Sequence, residues 1–267
     1  MIRIDKISLA SIFALCVATF GGAAIKMENV AYKQDTASLE GVLVYDAAAK
    51  GRQPGIVLVP DWMGVSDLAK QYAEKTAKLG NVVFIADIYG AKARPKDMKE
   101  ASTQAALYKG NRDLMQARAR AAYDQLKKSP HVDTTRLAAQ GYCFGGTVAL
   151  ELARSGVPLN GTVSFHGGLD TPHPDQAKNI KGEVLANHGA DDPFVPQDQV
   201  MAFQDEMRKA GVDWRLIQYG GAVHGFTNPN AGSDNSKGMA YNAKADQRSW
   251  QATADFYKEI FAKPMPK

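Results

Sequence analysis

The chain predicts an α/β protein: a mostly parallel central sheet with helices on both faces. Three observations predict it. Short apolar runs such as Gly55–Val59 (GIVLV), Asn81–Ile85 and Gly161–Phe165 have the length and composition of strands buried on both faces. Amphipathic stretches of helical period separate these runs, so successive strands are joined by crossovers. One strand runs into Gly141-Tyr142-Cys143-Phe144-Gly145-Gly146 and leaves at once as a helix, a strand–turn–helix that needs glycine on both sides of its tip.

In order, Val30–Lys33 and Ala37–Tyr45 read as a hairpin, followed by the strand Gly55–Val59. Ser66 or Asp67 caps a helix to Leu79, with Gly80 just past its end. After the strand Asn81–Ile85, helical patterns run from Asp97 to Tyr108 and from Arg112 to Lys128, stopped at Ser129-Pro130. Arg136–Gln140 is the strand into the turn, and Gly146–Ser155 the helix out of it. Then come strands Gly161–Phe165 and Glu183–Asn187, helix Gln197–Ala210, strand Trp214–Tyr219 and a last helix from Asn242 to Phe261. Thr171–Gln176 and Asn228–Lys237, rich in Pro, Asn, Gly and Ser, read as irregular loops.

Length and composition fit one domain over residues 25–267. Residues 1–24 differ from it. Arg3 and Lys6 precede an uncharged, mostly apolar run, Ile7–Phe20, and then Gly21-Gly22-Ala23-Ala24. That is the pattern of a secretory signal peptide, with cleavage after Ala23 or Ala24. The apolar run is shorter than the ~20 residues of a membrane span, so an uncleaved anchor is the weaker alternative and no stable insertion is expected after cleavage. A periplasmic or secreted protein is the expectation. Of two cysteines, Cys16 leaves with the signal, and Cys143 stays without a partner for an intramolecular disulfide.

The net charge of +4 comes from scattered residues. The densest group, Arg112, Arg118, Arg120, Lys127 and Lys128, reads as the wet face of a helix, and no basic patch points to nucleic acid. The histidines are dispersed, with no H-E-x-x-H and no cysteine pair, so no metal is expected. No Gly-x-Gly-x-x-Gly suggests a dinucleotide, and no cofactor is expected.

The turn at Cys143 has the setting of a nucleophile elbow. The helix behind it aims its N-terminal dipole and free N–H groups at the same point, which favours a thiolate. A free thiol, with pKa ~8.5, is only a few per cent ionised at pH 7, so a base is needed downstream. Asp191-Asp192-Pro193-Phe194-Val195-Pro196 follows the strand Glu183–Asn187, and Ala222-Val223-His224-Gly225-Phe226 follows the strand Trp214–Tyr219. Nucleophile, acid and histidine thus come in chain order, each at the end of a later strand, with His224 in a glycine-rich loop expected to be flexible. Spacing does not separate Asp191 from Asp192. His166 and His188 end strands at the same edge and could line a pocket or simply pack, as could Tyr89 and Tyr142.

With these motifs in place the chain, from Glu28 to Phe261, resembles the dienelactone hydrolase family, a cysteine branch of the α/β-hydrolases. The resemblance rests on Gly-Tyr-Cys-Phe-Gly-Gly at 141–146, Asp-Asp-Pro-Phe-Val-Pro at 191–196, Ala-Val-His-Gly-Phe at 222–226 and Asp61-Trp62-Met63-Gly64-Val65. It implies the α/β-hydrolase fold and a hydrolase that opens lactones or cleaves esters through a thioester acyl-enzyme. Cys143 is then the nucleophile, His224 the base and Asp192 the acid that orients it. The backbone N–H groups of Trp62 and Phe144 form the oxyanion hole, and Asp61 stands where such enzymes carry a glutamate that contacts the resting thiol. Asp61 is one methylene shorter than that glutamate. The arginine that holds a substrate carboxylate soon after the histidine is also missing, the run being His224-Gly225-Phe226-Thr227-Asn228-Pro229. Arg94 lies near the active edge without a motif to assign it. A neutral ester or lactone is therefore the expected small-molecule substrate. Two other uses of the site stay open: acyl transfer, and ligand binding without catalysis.

Overall fold

A computed structural model describes residues 23–265, so the expected signal at residues 1–24 falls outside them except for Ala23 and Ala24. The strands are β1 (Ile25–Gln34), β2 (Ala37–Asp46), β3 (Gln53–Val59), β4 (Val82–Ile85), β5 (Val132–Tyr142), β6 (Gly161–Phe165), β7 (Glu183–Gly189) and β8 (Trp214–Tyr219). The helices are α1 (Asp67–Ala77), α2 (Met98–Lys109), α3 (Arg112–Leu126), α4 (Phe144–Arg154), α5 (Gln197–Ala210) and α6 (Ala243–Phe261). One sheet has the order β1-β2-β4-β3-β5-β6-β7-β8, and only β2 runs against the rest. This is the mostly parallel α/β sheet, with helices on both faces, that the sequence predicts.

Period-two alternation assigns each strand residue to a layer. In β3, Val57 and Val59 join the core beneath α2, α3 and α4, while Ile56 and Leu58 join the core beneath α1 and α6. β4 divides likewise, Val82 and Phe84 to the first side, Val83 and Ile85 to the second. The helices start where capping chemistry allows. Ser66 accepts from the Ala69 N–H at 3.2 Å, and Asp97, Asn111 and Asn242 cap α2, α3 and α6 in the same way.

Strands longer than expected occur where the residues are polar. β1 begins at Ile25 rather than Val30 because it is an edge strand with one face in water, so Lys26, Glu28 and Asn29 sit in a ladder against β2. β5 begins at Val132 rather than Arg136, and its register against β3 shifts between Pro54 and Gly55. Asp133 organises that irregularity. It accepts from the Thr135 N–H and hydroxyl at 2.9 and 2.6 Å and from Arg136 Nε at 2.7 Å, and these donors hold its pKa down at about 2. The two loops expected to be irregular contain 3₁₀ turns at Pro174–Asn179, Pro229–Ala231 and Asn235–Lys237.

The wet face expected for α3 is corrected in part. Arg112 and Arg118 are buried, since α3 turns both toward the protein, and Arg112 reaches Asp170 at 2.8 Å. Among the described residues no helix is long and apolar enough to cross a membrane, and no group of three or more metal-ligating side chains occurs.

Candidate active site

β5 is a central strand, and its carboxyl end turns sharply into α4. Cys143 occupies the turn at φ 54° and ψ −121°, a conformation that costs an L-residue about 1–3 kcal/mol and must be imposed by its surroundings. The neighbours impose it. A Cβ on Gly141 would lie 1.9 Å from the Gly145 carbonyl oxygen, and one on Gly145 would lie 2.2 Å from that of Val59. The Cys143 N–H donates to the Phe165 carbonyl at 3.0 Å, tying the tip to β6. Phe144 opens α4, so its N–H has no acceptor within the helix. The Trp62 N–H also makes no hydrogen bond among the described residues.

The His224 Nε2 lies 3.1 Å from Cys143 Sγ, and its Nδ1 lies 2.8 Å from Asp192 Oδ2. The loops after β7 and β8 are laced together to make this possible. The Ala190 N–H donates to Tyr219 and the Asp191 N–H to Ala222, at 3.0 Å each, and Asp191 Oδ2 accepts from the Gly221 N–H at 3.0 Å. The two aspartates therefore divide the work: Asp191 fixes the loop and Asp192 meets the imidazole. The flexibility expected at His224 is not found. Its N–H donates to Gly238, its carbonyl accepts from Ala240, and its side chain is buried. Burial opposes the imidazolium, but the adjacent Cys143 sulfur and the Asp192 carboxylate outweigh it and push the His224 pKa up to about 10. The Phe194 ring packs edge-on against His224, with centroids 5.4 Å apart.

A cavity of about 360 Å³ opens beside Sγ. Trp62, Met63, Leu68, Tyr72, Met98 and Met239 give it apolar walls. Among the described residues Asp61 is its one acidic lining residue, and no lysine or arginine lines it. The Asp61 carboxylate accepts from the Met63 N–H at 2.8 Å and makes no hydrogen bond to the thiol, which faces His224 instead. Burial raises the Asp61 pKa against the Met63 bond. Arg94 is elsewhere: it pairs with Asp87 and Glu40 at 3.5 and 3.6 Å and does not line the cavity. Tyr142 lines the cavity floor, stacked between Tyr72 and Phe165 at 3.8 and 4.6 Å. Tyr89 does not line it and packs between Tyr108 and Phe144.

His166 lines the cavity and His188 does not. Both are buried, which lowers the pKa of each and keeps the imidazoles neutral at pH 7. The unfolded chain takes up these two protons near pH 6.5 and the folded protein does not. Their contribution to stability is therefore full above 6.5 and falls as pH drops below it. His224, with its raised pKa, acts in the opposite sense, its contribution being full below 6.5 and lost as pH rises toward 10. Urea midpoints measured from pH 6.5 to 4.5, where the His224 contribution is already full, are expected to fall, and His188→Gln to flatten the fall. A midpoint slope unchanged by the substitution would count against the assignment. The His166 Nε2 lies 2.8 Å from Thr227 Oγ1, which lies 3.1 Å from the Tyr72 hydroxyl. Neither Thr227 nor Tyr72 is legible as a site residue in the sequence, because the three side chains come from separate elements and share no motif.

A profile described as "Dienelactone hydrolase family" matches residues 39–261. An uncharacterized protein of Caenorhabditis elegans is 37% identical over 151 residues, 55% of this chain and 95% of its own. Two solved structures share the whole architecture. One, named "m3DLH", has TM-score 0.85 and 39% identity, covering 89% of this chain and 99% of its own. The other, a dienelactone hydrolase-like promiscuous phosphotriesterase from metagenomic libraries, has TM-score 0.84 and 40% identity over the same shares.

Proposed function

Because the chain belongs to the dienelactone hydrolase family and is a hydrolase of esters or lactones, we propose that Cys143 is its nucleophile, His224 its proton carrier and Asp192 the acid that orients His224. The observation that carries this reading is the line of contacts from Asp192 through His224 to Sγ, 2.8 Å and then 3.1 Å, at the mouth of the cavity.

His224 takes the proton of the Cys143 thiol as the substrate arrives. The thiolate attacks the substrate carbonyl carbon, and the negative charge that develops on oxygen is met by the Trp62 and Phe144 N–H groups, a donor of this kind being worth about 3 kcal/mol. The C–O bond breaks, His224 gives its proton to the leaving alkoxide, and a thioester on Cys143 remains with neutral His224. Water then attacks the thioester while His224 takes its proton. The C–S bond breaks, the acid leaves, and His224 returns its proton to the sulfur. Asp192 holds the ring with Nε2 toward sulfur and stabilises it when charged.

The cavity walls point to an uncharged substrate. Apolar and aromatic side chains surround it, and a carboxylate there would meet Asp61 without a cation to pair with. Neutral phosphotriesters form a second candidate class, on the strength of the 40%-identical neighbour named for that activity. A neutral short-chain aryl ester is expected to be hydrolysed with kcat/KM at least about tenfold above a matched ester carrying a carboxylate. Asp61→Asn is expected to narrow the gap by raising the value for the anion. Equal rates for the two esters, or no turnover of either, would sink this choice of substrate. We further propose action in the periplasm or outside the cell, supported by the charged start, apolar run and small residues of positions 1–24.

A further inference from the structure

We infer that Met239 forms the leaving-group side of the cavity and selects the alcohol part of the ester. The inference rests on the covalent mechanism above and adds a subsite for one half of its substrate.

The chemistry fixes where the alcohol lies. When the C–O bond breaks, His224 Nε2 gives its proton to the departing oxygen, so that oxygen sits within hydrogen-bond reach of the ring. The carbonyl oxygen turns the other way, toward the Trp62 and Phe144 N–H groups. The first carbons of the alcohol therefore meet whatever lines the cavity next to His224.

Met239 is that neighbour. Its main chain is bridged to His224: the His224 N–H donates to the Gly238 carbonyl at 3.2 Å, and the Ala240 N–H donates to the His224 carbonyl at 3.1 Å. Bonds to the residues on either side of Met239 hold its backbone beside that of His224, at the ~4.8 Å spacing of paired strands. Its side chain lies over Gly225, where a Cβ would come within 2.9 Å of Met239 Cγ and 3.4 Å of Sδ. Gly225, at φ 66°, thus leaves the room that the thioether fills. The side chain is half-buried and lines the cavity together with Cys143, His224 and Gly225. It is uncharged, apolar and unbranched, so the alcohol it receives is apolar next to its oxygen. Met239 acts in acylation alone, because the alcohol has gone before water attacks the thioester.

Two pairs of esters separate the halves of the substrate. Phenyl acetate and p-tert-butylphenyl acetate share an acyl group and release phenols of nearly equal acidity, so they differ in the bulk of the alcohol. p-Nitrophenyl acetate and p-nitrophenyl butyrate share the alcohol and differ in the acyl chain. Met239→Ala is expected to raise the kcat/KM ratio of the bulky to the plain phenyl ester about tenfold, with the butyrate-to-acetate ratio within about twofold of wild type. Met239→Leu, close in volume, is expected to keep both ratios within about twofold. Decay of the acetyl adduct on Cys143, followed by mass spectrometry, is expected at the wild-type rate in both variants. A shift in the acyl ratio with the alcohol ratio fixed would overturn the assignment by moving Met239 to the other half of the substrate. So would unchanged ratios in both pairs, or equal losses for all the esters, the mark of a residue that only props His224. Turnover by wild type with no acetyl adduct on Cys143 would overturn the covalent mechanism and the subsite with it, a failure told apart by the missing adduct.

Discussion

Cys143→Ala is expected to lower kcat/KM for a neutral aryl ester by about 10³-fold or more, with the thermal midpoint within about 2 °C of wild type. The size of the first effect follows from covalent catalysis. Without sulfur no thioester forms, and what remains is whatever the oxyanion donors and binding achieve with water alone. The smallness of the second follows from the backbone. Alanine accepts the same φ of 54° no better and no worse than cysteine, and the turn is enforced by Gly141, Gly145 and the bond to Phe165 rather than by the side chain. Incubation with p-nitrophenyl acetate and a rapid acid quench should leave an acetyl group on Cys143 of wild type and none on the variant. A folded variant that keeps a tenth of the activity would remove Cys143 from the chemistry. The rivals of acyl transfer and bare ligand binding are separated by the same assay: an added alcohol that diverts most of the acyl group marks a transferase, and a wild type without turnover marks a binder.

The second large effect concerns stability. Arg154, in the last turn of α4, is fully buried and faces two glutamates that are buried with it. Its Nε and a terminal nitrogen each meet Glu206 at 2.8 Å, a paired fork, and its other terminal nitrogen meets Glu151 at 3.1 Å. Glu151 is in turn bound by Gln116 at 2.8 Å. Removing the cation of this set leaves two buried carboxylates without compensation. Arg154→Leu is therefore expected to cost about 3–5 kcal/mol and to lower the thermal midpoint by roughly 10 °C. Adding Glu206→Gln to Arg154→Leu should recover part of the loss, since one stranded charge goes. Calorimetry showing additive losses, or a single variant as stable as wild type, would contradict a coupled buried set.

The sequence is legible wherever hydrophobic period and turn chemistry agree. GIVLV at Gly55–Val59 and the apolar run Glu183–Asn187 are strands at sight, and Cys143, Asp192 and His224 are each marked by a strand end and a distinctive neighbour. The misses have one physical cause. Where a strand is an edge, as at Lys26–Asn29, or bulged, as at Asp133–Arg136, its residues are polar and local pattern reads them as loop. Tertiary partners are invisible for the same reason. Arg112 and Arg118 look like surface charges, and nothing local announces that Asp170 waits for Arg112. Asp61 is recognisable by position, but its allegiance to the Met63 N–H depends on a reach that only coordinates fix. His166 and His188 are equivalent candidates in the sequence, and only the cavity wall chooses between them.

The glycine frame around Cys143 also bears on how such a protein can change over generations. At Gly141 and Gly145 a single added carbon would collide with main-chain oxygens, so those positions have almost no freedom to drift. The tip between them is under a milder constraint, a backbone strain that falls alike on the small unbranched residues cysteine, serine and alanine. The frame is a socket and the residue at its tip is a replaceable part. One codon change exchanges thiol for hydroxyl while the partners wait in place, so new chemistry on this scaffold is reached without first rebuilding it.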